Sequence, residues 1–291
     1  VKSTFCGRPV AGDRALIMAI VNRTPDSFYD QGATFSDDAA KDAAHRVVAE
    51  GADVVDVGGV KAGPGIVVDA DEEIARVVPF IEWLRGEYPD QLISVDTWRS
   101  SVAKQACAAG ADLINDTWAG ADPALPEVAA EFGVGLVCSH TGGATPRTRP
   151  FRVSYGTTVT GVVDDVIAEV TSAAERAVAI GVARDAILID PTHDFGKNTH
   201  HGLTLLHHVK DLVNTGWPVL MALSNKDFVG ETLGVELTQR LEGTLAATAL
   251  AAADGARMFR VHEVGPTRRV LEMVASIRGE RPPARTVRGL A

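Results

Sequence analysis

Eight short, β-rich apolar runs, each separated from the next by a longer connection, constrain this chain more than any other feature. They are Leu16 to Val21, Val54 to Val57, Leu92 to Val95, Leu113 to Asn115, Val134 to Cys138, Ile187 to Ile189, Val219 to Leu223 and Met258 to Val261. Helical spacing fills the connections, as in Asp37 to Glu50, Ala70 to Glu87, Ser100 to Ala109, Val162 to Ile180 and Thr238 to Ala253. The runs hold few polar residues, as expected of parallel strands covered on both faces. Four helices end in Gly-Ala or Gly-Val, at Gly51, Gly110, Gly181 and Gly255, which predicts left-handed caps feeding short loops to the next strand. Eight βα units in 291 residues favour one closed α/β (β/α)8 TIM barrel over an open doubly wound sheet, since such barrels need about 250 residues. The expected organisation is a single domain over 1–291, with its core at about 10–275 and a basic, Pro-containing tail at 278–291.

Apolar residues at 46% and charged residues at 23% suffice for a sizeable core and are too balanced for disorder. A net charge of −10 argues against a nucleic-acid partner, while an anionic small ligand stays open wherever basic groups converge. Cys6, Cys107 and Cys138 lie far apart and are expected as reduced, buried thiols. No apolar run approaches the ~20 residues of a membrane span, and the first residues lack the apolar stretch of a secretory signal. A cytoplasmic protein with no membrane partner is expected.

Barrel ligands bind at the carboxyl ends of the strands, so the residues just after each run are the candidates. The first run delivers Asn22-Arg-Thr-Pro-Asp-Ser-Phe28 and a polar loop reaching Gly32. The second delivers Asp56-Val-Gly-Gly-Val-Lys-Ala-Gly-Pro-Gly65, in which paired glycines allow a close backbone approach to a ligand. Asp96 and Asn115 end the third and fourth runs. Either alone would read as a helix cap, but on consecutive strand ends they read as ligand-binding groups. Ser139-His140-Thr141 follows the fifth run; His140 reads at least as readily as a structural residue satisfied by backbone, and no residue is assigned a catalytic role. The sixth run supplies Asp190-Pro-Thr-His-Asp-Phe-Gly-Lys197 and the seventh Ser224-Asn225-Lys226-Asp227-Phe228. Arg260 and His262 project from one side of the eighth strand and, with Asn22, form a candidate phosphate site. His193, His200, His201, His207 and His208 lack metal-ligand spacing and read as a solvated loop and helix face.

At seven strand ends these segments resemble the dihydropteroate synthase family, which joins p-aminobenzoate to a pterin pyrophosphate; the resemblance spans about residues 10–275. It implies that Asp96, Asn115, Asp190 and Lys226 bind a pterin, and that Asn22, Arg260 and His262 bind phosphate. Asn22 would face a Mg2+ ion carried by the pyrophosphate, the one cofactor implied. The resemblance also implies a homodimer and a small-molecule partner, either a pterin-like ligand or an arylamine or sulfonamide mimic.

Departures from the family pattern are concentrated. Where the family has Gly-Gly-Glu-Ser-Thr-Arg-Pro-Gly, this chain has Val60, Lys61, Ala62 and Gly63 between its matching glycines and Pro64. The missing Thr and Arg contact pyrophosphate and line the p-aminobenzoate pocket in the family. The family Arg after Ser224 is Asn225 here, and two family glycines after the sixth strand are Thr192 and Asp194. That loop must follow a different path or carry a side chain into the pocket. Each lost preorganised donor costs about 3–4 kcal/mol of transition-state stabilisation. The leading expectation is therefore a dihydropteroate-synthase-like paralogue, inactive or severely impaired, that retains a partial pterin and phosphate pocket. One alternative is an active synthase in which Lys61 restores the missing charge. Another is a folate-dependent methyltransferase, which needs no arylamine pocket.

Overall fold

The structure, a computed structural model, describes residues 2–24, 36–149, 152 and 154–288. An antiparallel hairpin of β1 (Lys2–Phe5) and β2 (Arg8–Ala11) precedes eight parallel strands. These are β3 (Leu16–Asn22), β4 (Val54–Gly58), β5 (Leu92–Asp96), β6 (Leu113–Asp116), β7 (Gly135–Ser139), β8 (Ile187–Asp190), β9 (Leu220–Met221) and β10 (Met258–Val261). They pair in the order β8-β7-β6-β5-β4-β3-β10-β9, and a parallel bridge between Ile189 and Val219 joins the two ends. The expected TIM barrel is thus formed. The seventh run is shorter as a strand than expected: Pro218 has no N–H to donate, Val219 forms only the isolated bridge, and Leu223 already accepts a turn hydrogen bond from Lys226.

Around the barrel lie α1 (Asp37–Ala49), α2 (Ala70–Glu87), α3 (Ser100–Ala108), α4 (Leu125–Phe132), α5 (Gly161–Ile180), α6 (Thr199–His207), α7 (Val209–Val213), α8 (Asp227–Leu233), α9 (Leu241–Ala253) and α10 (Val264–Ile277). Asp69 caps α2 by accepting from the Glu72 N–H at 2.9 Å. Gly51, Gly110, Gly181 and Gly255 take positive φ of 93°, 115°, 121° and 106°, as their positions after helices require. The stretch expected as one helix from Thr238 divides into a 3-10 turn at Leu237–Gln239 and α9.

Strand alternation sorts the barrel interior by height. Low in the barrel, Leu16, Met18, Val54, Leu92, Leu113, Val137, Leu188, Leu220 and Met258 form an apolar layer with Phe5 from the hairpin. Higher on the same strands the inward positions carry Ile20 and Asn22, Asp56, Ser94 and Asp96, Asn115, Asp190 and Arg260. An apolar floor therefore lies beneath a polar chamber. The hairpin turns on Cys6 (φ 48°) and Gly7 (φ 72°), two successive left-handed residues that bring Phe5 opposite Arg8. All three cysteines are unpaired; Cys107 and Cys138 are buried, but Cys6 at this turn is partly exposed, contrary to expectation.

Candidate functional site

A cavity of ≈ 530 Å³ opens at the carboxyl ends of the strands, lined among others by Asn22, Asp96, Asp190, Lys226, Arg260, His262, Lys61, Ala62, Gly63 and Ser224. The residues from Pro25 to Phe28, and the loop to Gly32, lie outside the described residues. Of the expected site residues, Asn115 and Asn225 are not on the cavity wall. Asn115 is fully buried and donates from Nδ2 to Asp56 Oδ2 at 3.2 Å. Its own Oδ1, like Asp56 Oδ1, has no hydrogen-bond partner among the described residues. Two buried acceptors thus await donors in the polar chamber, a costly arrangement unless a ligand supplies them.

Arg260 holds this chamber together. Its Nε donates to Asp56 Oδ2 and its Nη2 to Asp96 Oδ2, each at 2.7 Å. Burial pushes the Asp96 carboxyl up to about 7, with Arg260 opposing the rise and the Asp56 charge adding to it. Burial also raises the Asp190 carboxyl, with Lys226 opposing, and lowers the Lys226 ammonium, with Asp194 and Asp190 opposing. Lys226 donates to the His193 carbonyl and lies 5.1 Å from the centre of the Phe195 ring.

His262 is held neutral near pH 7, because burial and then the Arg260 and Lys226 charges push it down to about 3. Its Nδ1 pairs with Ser224 Oγ at 2.8 Å. The three residues expected to bind phosphate therefore share the cavity wall, yet Arg260 already serves two carboxylates and His262 carries no charge.

The strand-six loop keeps a left-handed path despite losing glycines. Thr192 (φ 53°) and Asp194 (φ 69°) adopt conformations that cost roughly 1–2 kcal/mol each for residues with a Cβ. Local bonds offset the strain: Thr192 Oγ1 donates to the Asp190 carbonyl at 3.0 Å and accepts from the His140 N–H at 3.1 Å. Asp194 Oδ2 accepts from the Asp227 N–H at 2.7 Å, at the start of α8. Both residues line the cavity, so the loop carries side chains into it. Asn225 is likewise left-handed (φ 54°), but its Nδ2 donates to Glu263 Oε1 at 2.8 Å and its side chain is packed away. Nothing at this position replaces the arginine of the family pattern.

Three other readings change. The paired glycines serve different neighbours: Gly58 faces Asn22 and Asp96, whereas a Cβ on Gly59 would meet Val77 Cγ1 of α2 at 2.8 Å. Close helix packing, not ligand approach, requires Gly59. His140 meets carboxylates rather than backbone, its Nε2 lying 3.1 Å from Asp165 Oδ2 and 3.4 Å from Glu169 Oε2, while its buried Nδ1 has no hydrogen-bond partner among the described residues. His193 is buried, not solvated, with Nε2 at 3.2 Å from the Gly202 carbonyl. His201 completes a capping box with Asn198 at the start of α6.

Sequence reasoning passed over Asp56, Lys197 and Arg149. Asp56 was legible as an ionisable residue in the middle of the apolar strand Val54–Gly58. Lys197 closes the Asp190 segment and is buried, donating to the carbonyls of His140 (2.8 Å), Phe195 (2.9 Å) and Thr192 (3.1 Å). Burial lowers its ammonium to about 7. No local signal marks Arg149, which reaches the cavity from the loop after β7.

The neutral state of His262 has a measurable consequence. Its folded pKa of about 3 lies below an unfolded value of about 6.5, so the unfolded chain binds more protons between them. Its contribution is complete above pH 6.5 and is lost as the pH falls toward 3. In urea unfolding, His262→Gln should lose at least about 1 kcal/mol less stability than the unsubstituted protein on acidification from pH 6.5 to 4. Equal losses would mean that His262 is not held neutral.

A profile of the family described as "Pterin binding enzyme" matches residues 18–262. The chain is 83% identical over 288 residues to a Mycobacterium tuberculosis protein named inactive dihydropteroate synthase 2, covering 99% of this chain and 91% of that one. It is 37% identical over 264 residues to dihydropteroate synthase of Bacillus subtilis, covering 90% and 88%. A solved Yersinia pestis dihydropteroate synthase in complex with a sulfonamide drug superposes with a TM-score of 0.87 at 34% identity, covering 97% and 100%. The chain belongs to the dihydropteroate synthase family of pterin-binding enzymes.

Proposed function

We propose that this protein is a pterin-binding paralogue of dihydropteroate synthase that does not catalyse efficient condensation. The observation that carries the reading is a division within one cavity. Asp96, Asp190 and Arg260 line the cavity, and Asp56 and Asn115, buried off its wall, each hold an unpartnered acceptor, while the side at Ala62 and Gly63 lacks the family's hydroxyl and guanidinium groups. A pterin edge carries ring N–H and amino donors, which suit the free oxygens of Asn115 and Asp56. Asp96, Asp190 and Lys226 would complete the contacts to the ring.

Condensation displaces pyrophosphate, whose growing charge must meet fixed donors. Ala62 and Gly63 offer none by their side chains, and Asn225 is turned toward Glu263. Arg260 is divided between two carboxylates. The Asn22 side chain, with one neutral oxygen, suits a Mg2+ ion that brings phosphate and water ligands with it, not a resident metal. The name of the M. tuberculosis relative supports the same reading, and neither alternative, active synthase or methyltransferase, is favoured.

Association into a homodimer is supported by Leu250 on α9 and Met273 and Ile277 on α10, apolar side chains 69%, 62% and 73% exposed on two helices that pack together. Among the described residues no helix is long and apolar enough to cross a membrane, and three unpaired thiols suit a reducing compartment such as the cytoplasm.

Purified protein given pterin pyrophosphate, p-aminobenzoate and Mg2+ should turn over at least about 10²-fold more slowly than an ordinary synthase. Turnover within tenfold would refute the proposal. In sedimentation, Leu250→Glu combined with Met273→Glu should convert dimer to monomer; an unchanged species would place the interface elsewhere.

A further inference from the structure

Where α5 passes the end of β7, three side chains meet that take no part in the cavity wall. Asp165 and Glu169 stand four residues apart on α5, so both carboxylates project from one face of the helix. His140 follows β7 directly and points its ring at that face, with Nε2 3.1 Å from Asp165 Oδ2 and 3.4 Å from Glu169 Oε2. One ligand atom from each of the three residues lies within 4.8 Å of the other two.

These separations are those of atoms that share an ion. Bonds of about 2.0–2.1 Å to a tetrahedral Zn2+ hold neighbouring ligand atoms about 3.4 Å apart. A hydrogen-bond account is poorer, because Nε2 carries at most one proton and both carboxylates only accept. The imidazole is fully buried, which opposes the charge that would turn the contact into an ion pair. Its backbone is fixed from the other side, where the His140 N–H donates to Thr192 Oγ1 at 3.1 Å and the His140 carbonyl accepts from Lys197 Nζ at 2.8 Å. The ring is therefore a preorganised ligand. Arg152 Nη1 also reaches Asp165 Oδ2, at 3.2 Å, but this is a pair between exposed groups, and giving it up in water costs about 1 kcal/mol or less.

We propose that His140, Asp165 and Glu169 form a binding site for one divalent ion of the zinc class. One imidazole nitrogen and two carboxylates suit Zn2+, Co2+ or Ni2+, whereas Mg2+ prefers oxygen ligands and keeps several waters. The carboxylate side chains are 31% and 51% exposed, so the remaining coordination position opens to water. The ion pins α5 to the strand end that carries His140. It is distinct from a Mg2+ brought to Asn22 by pyrophosphate, and the site does not depend on the pterin reading.

Calorimetric titration of chelator-treated protein with ZnCl2 tests the site. The unsubstituted protein should bind Zn2+ and unfold at a higher temperature with it than without it. Asp165→Asn/Glu169→Gln should bind at least about tenfold more weakly and lose the thermal gain, since even the outer partners of metal ligands are worth that much. Thermal unfolding without metal reports whether the variant is folded, and Glu169→Gln alone serves if it is not. Co2+ in place of Zn2+ should give visible absorption bands that the variant lacks. No Zn2+ binding, or binding that the substitutions leave unaffected, would overturn the site; the latter result would move the ion elsewhere, as to the His207-His208 pair. Displacement of Zn2+ by an equal concentration of Mg2+ would overturn the assigned class of ion.

Discussion

Two carboxylates can stand inside this barrel only because one guanidinium lies between them. Arg260 donates to Asp56 and to Asp96, and Asn115 adds an amide to the same oxygen of Asp56. Without that cation, two like charges would sit in a chamber whose burial already drives Asp96 toward protonation. Apolar packing below sets the height of the chamber: the floor from Leu16 to Met258, stoppered by Phe5, leaves only the upper inward positions to polar groups. The geometry of the site depends on this ion triad more than on any loop.

The departures from the family pattern lie on the upper rim, above this base. Thr192 and Asp194 hold left-handed backbone without glycine, stabilised by bonds to Asp190, His140 and Asp227, and place side chains in the cavity. Asn225 turns its amide to Glu263. Positive charge is redistributed: position 63 has none, while Lys61 and Arg149 converge on the same space from two loops. Asp96, Asp190 and Lys226 line the cavity, while positions 62 and 63 offer it no side-chain donor.

The barrel was legible because each parallel strand is an apolar run and four helices end in a glycine that must be left-handed. The N-terminal hairpin was not, because strands of four residues turning on Cys6-Gly7 lack the usual Asn-Gly signal. Site residues on the strand ends were legible from position, since period-two alternation assigns their direction. Those governed by backbone turns or by distant partners were not. The turn of Asn225 away from the cavity depends on a left-handed backbone and on Glu263, and the reach of Arg149 depends on Arg147 meeting Ile66 across the barrel mouth. Asp56 stood in plain view within Val54–Gly58, but its role emerges only with Arg260 and Asn115 beside it.

The central claim is that the pterin base is retained and the second-substrate side is lost. Sequential calorimetry tests it most directly: titration with a pterin, followed by a sulfonamide arylamine mimic titrated into the pterin-saturated protein. The account predicts saturable heat for the pterin, abolished by Asn115→Ala, and no saturable heat for the sulfonamide. Tight sulfonamide binding to the pterin complex, or the absence of pterin binding, would contradict it.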